Sequence, residues 1–274
     1  MEHLDRRSRR RLVVGLGTGL AAMAIGTARG GAAMVLRGRQ SGTPEPATRG
    51  RFQSRPTPPT EAITPGLHRL GLDQSRDAVL LIPSGYQPER PAPFLLSLHG
   101  AGGDAEGGLY PLRELANEAG LVLLSPASRG SSWDVIRGGF GPDVAFVDAA
   151  LAAAFARVAV DPARLAVGGF SDGASYALSL GIGNGDLFGH ILAFSPGFAA
   201  PAEQNGEPRI FVSHGTRDDV LAIDPTSRRL VPPLKRAGYD VTYVEFEGGH
   251  SVPPEIARQA LGWYLNDGSA TPTP

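Results

Sequence analysis

Short apolar runs alternate with helical patterns along most of this chain, from about residue 66 to residue 267. Eight of the runs have the length of β-strands, and most of them end in Gly, Ser or Pro, as buried strands do where they pass into loops. They are HRLGL, DAVLLIP, FLLSLHG, LVLLSPAS, RLAVGGF, HILAFSPG, RIFVSHG and VTYVEFEGG. The first two predict an opening pair of strands, and the other six predict buried strands.

Four further stretches lie between these runs and a fifth follows the last run, and several of the five have apolar residues at helical spacing. They are LRELANEAG, DVAFVDAALAAAFARVA, SDGASYALSLGIG, SRRLVPPLKRAG and PPEIARQALGWYLND. Strands that alternate with helices predict an α/β domain with a mostly parallel, doubly wound sheet. In such a sheet the functional residues collect in the loops at the carboxyl ends of the strands.

The first 36 residues follow a different pattern, in which a cluster of arginines precedes a weakly apolar stretch rich in Gly and Ala. This pattern is typical of a signal peptide. Within it SRRRLVV resembles the twin-arginine export motif, with Arg9 and Arg10 as the paired arginines. The alternatives are a basic leader without an export function and a short membrane anchor. We expect export to the periplasm or the exterior by the twin-arginine pathway, without stable membrane association after signal removal.

Residues 37–65 and 268–274 are rich in Pro, Thr and Gly and poor in apolar residues, which predicts a disordered linker and a disordered tail. One folded domain is therefore expected over residues 66–267. Lys and Arg number 26 and Asp and Glu number 27, a balance that gives no reason to expect a nucleic-acid partner. The chain has no cysteine, which fits either a cytoplasmic or an exported protein.

A single serine is placed where a nucleophile is expected. In VGGFSDGAS, Ser171 stands between Gly169 and Gly173, directly after an apolar run and directly before a helical pattern. This arrangement matches G-x-S-x-G, the nucleophile elbow, in which a tight turn exposes the hydroxyl. A glycine-rich structural turn is the alternative, and the position between a strand and a helix favours the elbow.

A serine nucleophile needs a histidine as base and a carboxylate that orients the histidine. Asp218 follows the run RIFVS, and His250 follows the run VTYVEFE in a glycine turn. Ser171, Asp218 and His250 therefore occur in the chain order that accompanies a nucleophile elbow. An ordinary surface or core role is the alternative for His250. His99 and His214 end strands in His-Gly dipeptides, and we expect them to be structural or to shape the site.

Acyl transfer also needs hydrogen-bond donors for the oxyanion of the tetrahedral intermediate. The stretch SLHGAGGD ends a strand with His-Gly and a run of small residues, so its backbone N–H groups can approach a substrate. We expect the N–H groups of Ala101 and Asp172 to form the oxyanion hole. A turn without function is the alternative. Phosphate binding is disfavoured, because GAGGDAEGG lacks the Gly-Lys-Ser/Thr ending of a P-loop.

Five motifs together, RDAVLLIPSGY, LLSLHGAGGD, VDPARLAVGGFSDGAS, FVSHGTRDDV and GGH, resemble the α/β-hydrolase fold over about residues 66–267. More narrowly, the chain is similar to the phospholipase/carboxylesterase-type hydrolases and to the polyhydroxybutyrate-depolymerase-like and feruloyl-esterase-like esterases. The resemblance implies a serine esterase that cleaves carboxylic esters through an acyl-serine, with no metal and no organic cofactor. The residues that match the family motifs are Ser171 as nucleophile, His250 as general base and then acid, Asp218 as its orienting acid, and Ala101 with Asp172 at the oxyanion hole.

Two positions need comment beside this resemblance. The family pattern HGxxDxV selects Asp218, because Gly215 and Val220 then have the right spacing, and it leaves Asp219 as a solvated loop carboxylate or a partner for Arg217. Family members often have Asn or Gln after the nucleophile, whereas this chain has Asp172. Its carboxylate either points away from the site or disfavours anionic substrates.

Two further stretches bear on the substrate. Only GFAAPAEQNGEP separates the sixth and seventh apolar runs, which is too short for a lid domain and predicts an open site. In GSSWDVIRGGFGPD, Trp133 either walls a substrate pocket or packs this loop onto the body of the protein.

We expect a small-molecule or accessible polymeric ester as substrate. The alternatives are thioesterase, lysophospholipase or peptidase action, and a non-catalytic binding protein on the same scaffold.

Overall fold

An eight-stranded sheet forms the centre of the computed structural model, which describes residues 49–266 of the chain. The strands are β1 (Gly66–Arg69), β2 (Ala78–Ile82), β3 (Ala92–Leu98), β4 (Val122–Pro126), β5 (Val160–Phe170), β6 (His190–Phe194), β7 (Arg209–Gly215) and β8 (Val241–Phe246). Their order across the sheet is β1-β2-β4-β3-β5-β6-β7-β8. β2 is antiparallel to both of its neighbours, and all other pairs are parallel. The predicted mostly parallel sheet is confirmed.

Five helices cover the two faces of this sheet. They are α1 (Arg113–Glu118), α2 (Pro142–Phe155), α3 (Asp172–Gly183), α4 (Ser227–Arg236) and α5 (Pro254–Leu265). The apolar residues of α2, α3 and α4 belong to one buried cluster, and those of α1 and α5 belong to a second. The central strands β3, β4 and β6 are buried at every position, which is why their sequences are apolar without alternation.

Part of the predicted linker packs against the domain. The Phe52 side chain is 1% exposed and meets the Phe188 ring edge-on at 6.0 Å. The backbone N–H of Phe52 donates to Asn184 Oδ1 at 2.9 Å, and that of Ser54 donates to the Asp148 carboxylate at 2.9 Å. The packed chain therefore begins earlier than residue 66. The sequence hides this because a single aromatic residue among Pro, Thr and Gly creates no periodic pattern.

The connection between β6 and β7 forms no cap domain. Residues 195–208 run between these strands without a helix, in agreement with the predicted open architecture. Within residues 49–266, no helix has the length and apolar character needed to cross a membrane. The predicted signal peptide, the linker up to residue 48 and the tail lie outside the described residues.

Candidate active site

Ser171 sits at a sharp turn between β5 and α3. Its backbone has φ 58° and ψ −121°, a conformation that side-chain-bearing residues rarely adopt. The glycines on either side make the turn possible. A Cβ atom at Gly173 would collide with the Leu98 carbonyl oxygen, and one at Gly169 would come within 2.6 Å of the same atom. The G-x-S-x-G spacing thus lets strand β5 and helix α3 approach the end of β3 closely.

His250 and Asp218 extend from Ser171 in a hydrogen-bonded chain. His250 Nε2 lies 2.9 Å from Ser171 Oγ, and His250 Nδ1 lies 2.6 Å from Asp218 Oδ2. Because a carboxylate accepts, Nδ1 carries the proton and leaves Nε2 to accept from the serine hydroxyl. The Phe170 ring packs against the imidazole with centroids 4.6 Å apart, which limits its rotation. The structure thus brings together the three residues that the sequence selected.

The carboxylate of Asp218 is buried and fully engaged. Its Oδ1 accepts from the backbone N–H groups of Val220 at 3.0 Å and Leu221 at 2.8 Å. Burial raises the pKa of this carboxyl, but the hydrogen bonds from His250 and from the two N–H groups outweigh burial and hold the pKa below its usual range. The neighbouring Asp219 is exposed. Asp218 therefore stays ionised beside the histidine.

The predicted oxyanion residues lie next in sequence to groups at the serine, Ala101 after Gly100 and Asp172 after Ser171. Gly100, in the loop after β3, approaches so closely that a Cβ there would lie 3.4 Å from Ser171 Cβ. The N–H of Ala101 follows in this loop, and the N–H of Asp172 belongs to the first turn of α3. Within the described part of the chain, neither group donates to another protein atom. Both N–H groups therefore remain available to a substrate oxygen.

The side chain of Asp172 is anchored to the loop after β4. Its Oδ2 accepts a hydrogen bond from Ser132 Oγ at 2.6 Å. The backbone of the same loop reaches the loop after β3, residues 99–104, which we call the oxyanion loop, because Gly102 donates its N–H to the Ser131 carbonyl at 2.7 Å. The hydrogen bond from Ser132 thus holds the Asp172 carboxylate in place beside the loop after β4.

Trp133 packs this loop onto the body of the protein and does not wall a pocket. The side chain is 0% exposed and stacks on Tyr176 with centroids 4.9 Å apart. Its indole Nε1 donates to the carbonyl of His99 at 2.9 Å. The second of the two predicted roles is therefore the one found.

His99 supports the oxyanion loop from below. Its Nδ1 lies 2.7 Å from the Gly100 carbonyl, and its Nε2 accepts from the Ser128 N–H at 2.9 Å. Burial lowers the pKa of the imidazole, so the ring is neutral.

The His-Gly dipeptide indicated in the sequence that His99 shapes the site, but nothing in the sequence indicated the contacts of Ser132 and Phe170. Within residues 49–266, no group of His, Asp or Glu side chains could hold a metal ion.

Comparison with known sequences finds feruloyl esterases among the relatives of this chain. The chain is 27% identical over 171 residues to feruloyl esterase C of Emericella nidulans, and the match covers 59% of this chain and 61% of that protein. The chain thus spans less than two thirds of that relative's length. No model of a protein family matches the chain.

Solved structures with the same fold are more distant in sequence. A phospholipase/carboxylesterase from Dyadobacter fermentans is 19% identical with a TM-score of 0.54, covering 70% of this chain and 97% of its own. The Bacillus cereus carboxylesterase is 22% identical with a TM-score of 0.52, covering 68% and 92%. The predicted resemblance to feruloyl esterases is confirmed in sequence, and the α/β-hydrolase fold is confirmed in structure.

Proposed function

We propose that this protein is a serine esterase that hydrolyses carboxylic esters through an acyl-serine intermediate. The observation that carries the proposal is the continuous chain from Ser171 Oγ through His250 to Asp218, placed at a nucleophile elbow. A serine hydroxyl, a neutral histidine and an ionised acid in this order are the groups that nucleophilic acyl transfer requires. The similarity to feruloyl esterase C supports ester bonds as the target.

In the first half of the reaction, Ser171 Oγ attacks the carbonyl carbon of the ester while His250 Nε2 takes the hydroxyl proton. The carbonyl oxygen becomes an oxyanion, which the N–H groups of Ala101 and Asp172 stabilise. Asp218 stabilises the imidazolium that forms. The intermediate then collapses, the carbon–oxygen bond to the alcohol breaks, and His250 gives its proton to the departing alcohol.

The second half repeats these steps with water. His250 Nε2 takes a proton from a water molecule, whose oxygen attacks the acyl carbon on Ser171. The same two N–H groups hold the second oxyanion, and its collapse releases the carboxylic acid as the proton returns to Ser171. The cycle consumes one ester and one water and restores the enzyme.

The open architecture bears on the class of substrate. The 195–208 connection carries no helix above the site, so an ester attached to a larger molecule can approach. The name of the relative, feruloyl esterase C, makes feruloyl esters the first compounds to try. We propose small-molecule or accessible polymeric esters as substrates.

The test of this proposal combines active-site labelling with turnover. A fluorophosphonate probe should label the wild-type protein and spare Ser171→Ala, and hydrolysis of aryl and alkyl esters, including methyl ferulate, should fall to background in that variant. Ser84→Ala is the control, because Ser84 is exposed on the turn after β2 and should leave both readouts unchanged. Labelling of Ser171→Ala, or undiminished hydrolysis by it, would contradict the proposal.

Export by the twin-arginine route is a separate proposal, and it rests on SRRRLVV and the weakly apolar stretch that follows. Substituting Arg9→Lys together with Arg10→Lys should retain the precursor in the cytoplasm. The measurement is the distribution of the protein between cell fractions. Export of the doubly substituted protein at the wild-type level would contradict this route.

A further inference from the structure

His214 is a buried histidine that the proposed reaction does not use. It lies near the end of β7, with a side-chain exposure of 0%. Its Nε2 is 2.7 Å from the Leu221 carbonyl, and its Nδ1 is 2.7 Å from Ser227 Oγ. A carbonyl can only accept, so Nε2 carries the proton, and Nδ1 accepts from the serine hydroxyl. Burial lowers the pKa of the ring, which is therefore neutral with one defined tautomer.

The proton on Nε2 also faces the proposed catalytic acid. His214 Nε2 lies 3.2 Å from Asp218 Oδ2, the same oxygen that accepts from His250 Nδ1. The Nε2–H group therefore donates a three-centre hydrogen bond. Its shorter branch goes to the Leu221 carbonyl, and its longer and weaker branch goes to Asp218. Oδ2 thus has two imidazole donors, while Oδ1 has two backbone donors.

This arrangement closes a small ring of contacts around the acid. The backbone N–H of Leu221 donates to Asp218 Oδ1, and the carbonyl of Leu221 accepts from His214. His214 therefore fixes both the loop that carries the acid and the oxygen that faces His250. A rotation of the carboxylate about its last bond would have to break contacts at both oxygens.

We propose that His214 is a positioning residue that holds Asp218 in the orientation needed by His250. This inference rests on the proposed function, because the orientation matters only if Asp218 and His250 act together. His214 does not reach the substrate or the serine. Its effect on turnover passes through the acid.

Two amide substitutions distinguish the effect of the hydrogen bonds from Nε2 from the effect of removing the imidazole ring. In His214→Gln the side-chain amide reaches the place of Nε2 and can still donate toward Leu221 and Asp218. In His214→Asn the shorter amide reaches only the place of Nδ1. We expect His214→Gln to stay within about 3-fold of wild-type kcat and His214→Asn to lose ~10- to 100-fold, the worth of a hydrogen bond to a charged group, while KM stays within about 2-fold. Equal kcat values for the two variants would overturn the proposal.

A double-substitution cycle tests whether the effect passes through Asp218. In an Asp218→Asn background the Gln and Asn variants at position 214 should become equal, because the carboxylate that His214 orients is gone. An undiminished difference in that background would mean that His214 acts independently of the acid and would overturn the proposal.

A spectroscopic measurement on the wild type keeps the proposal testable if the His214→Asn variant does not fold. Nitrogen NMR of the histidine side chains should show the Nε2–H tautomer for His214 and the Nδ1–H tautomer for His250, and the low-field Nδ1–H signal of His250 should shift in His214→Gln. The opposite tautomer at His214, or an unshifted His250 signal, would overturn the inference. Absence of ester hydrolysis and of Ser171 labelling in the wild type would instead contradict the proposed function, so the two failures are distinguishable.

Discussion

Two His-Gly dipeptides end strands of the same sheet, His99-Gly100 after β3 and His214-Gly215 in β7, and they hold opposite tautomers. His99 donates from Nδ1 and accepts at Nε2, whereas His214 donates from Nε2 and accepts at Nδ1. Both rings are buried, and burial lowers both pKa values. The dipeptide therefore does not determine which ring nitrogen carries the proton. That is determined by the carbonyl groups and hydrogen-bond donors that surround each ring.

The glycines of the two dipeptides serve close approach at different places. Gly100 brings the oxyanion loop against Ser171, where a Cβ would come within 3.4 Å of the serine Cβ. Gly215 brings the end of β7 against the loop of His250, where a Cβ would collide with the carbonyl of Gly249. One dipeptide thus lies on the side of the proposed oxyanion hole, and the other lies on the side of the proposed acid and base.

The two sides also differ in what the histidine reaches. The ring nitrogens of His99 form hydrogen bonds only with backbone groups, and its own carbonyl accepts from Trp133, so it shapes the N–H donors of a loop. His214 contacts a carboxylate as well as a carbonyl. Loss of His99 should therefore act through loop geometry, while loss of His214 should act through a charge.

The largest expected effect is on the acid–base side. Asp218→Asn removes the acceptor that fixes the His250 tautomer, and we expect a loss of about 10⁴ in turnover by analogy with the serine-protease triad. Asp219→Asn is the matched control, because Asp219 is adjacent and exposed, and it should change turnover little. Turnover is measured on one aryl ester, and thermal melts check folding. If Asp219→Asn were the inactive variant, the assignment of the acid would be wrong by one residue.

On the oxyanion side, Trp133 should give the largest effect on stability. Trp133→Ala empties a fully buried site between two rings and is expected to cost about 3–5 kcal/mol of the free energy of unfolding. Trp133→Phe keeps an aromatic ring but loses the hydrogen bond to the His99 carbonyl, which should cost about 1 kcal/mol. Denaturant unfolding measures both. An unfolding free energy for Trp133→Ala within the error of the wild type would contradict the packing role.

These differences show how far the sequence could predict the molecule. Each of the eight strands overlaps a predicted apolar run, and each of the five helices overlaps a predicted helical pattern. The bounds are less well predicted, because β1 (Gly66–Arg69) shares only two residues with its run and β5 (Val160–Phe170) begins four residues before its run. The α4 segment contains Pro232 and Pro233, yet it is a helix as its spacing predicts. The burial of Phe52 could not be predicted, because the partners of this side chain are more than a hundred positions away in the sequence.

The site also has residues that the sequence predicts and contacts that it does not. Ser171, Asp218 and His250 could be selected because each stands at the end of a strand in a recognisable motif, and the structure places them in contact. The contact of Ser132 with Asp172 could not, because it joins two loops that meet only after the sheet has formed. Tautomers are hidden for the same reason, since they depend on which carbonyl lies beside each ring.

The Asn and Gln substitutions proposed at position 214 can also be made at position 99, where the opposite order of activities is expected. At position 99 the donating nitrogen is Nδ1, so His99→Asn keeps a donor near the Gly100 carbonyl and His99→Gln does not. We expect His99→Gln to lower kcat roughly 5-fold, the worth of one neutral hydrogen bond, and His99→Asn to have a smaller effect. This order is the reverse of the one expected at position 214. The same order at both positions would contradict the opposite tautomers.

The smallest expected effect is on the pH dependence of stability. His99 faces Arg76, Asp104 and Asp172, and His214 faces Asp218 and His250. Burial, together with Arg76 at one ring and His250 at the other, outweighs the carboxylates and lowers both pKa values. A histidine with a pKa lower in the folded than in the unfolded state contributes stability that is present above the unfolded value of about 6.5 and is lost as the pH falls. Acidification from pH 7 to pH 5 should therefore lower the free energy of unfolding by up to about 2 kcal/mol for each of the two rings.

The measurement is the difference in unfolding free energy between pH 7 and pH 5, compared between the wild type and two variants that cannot titrate at these positions, His99→Asn and His214→Gln. Asp143 has a pKa raised by burial, so its contribution has the opposite sign, stability being lost as the pH rises through its folded pKa. That contribution is common to all three proteins and cancels in the comparison. Each variant should lose less stability on acidification than the wild type. A variant with the same pH dependence as the wild type would mean that the replaced ring binds a proton as readily in the folded as in the unfolded state, which would contradict the lowered pKa assigned to it.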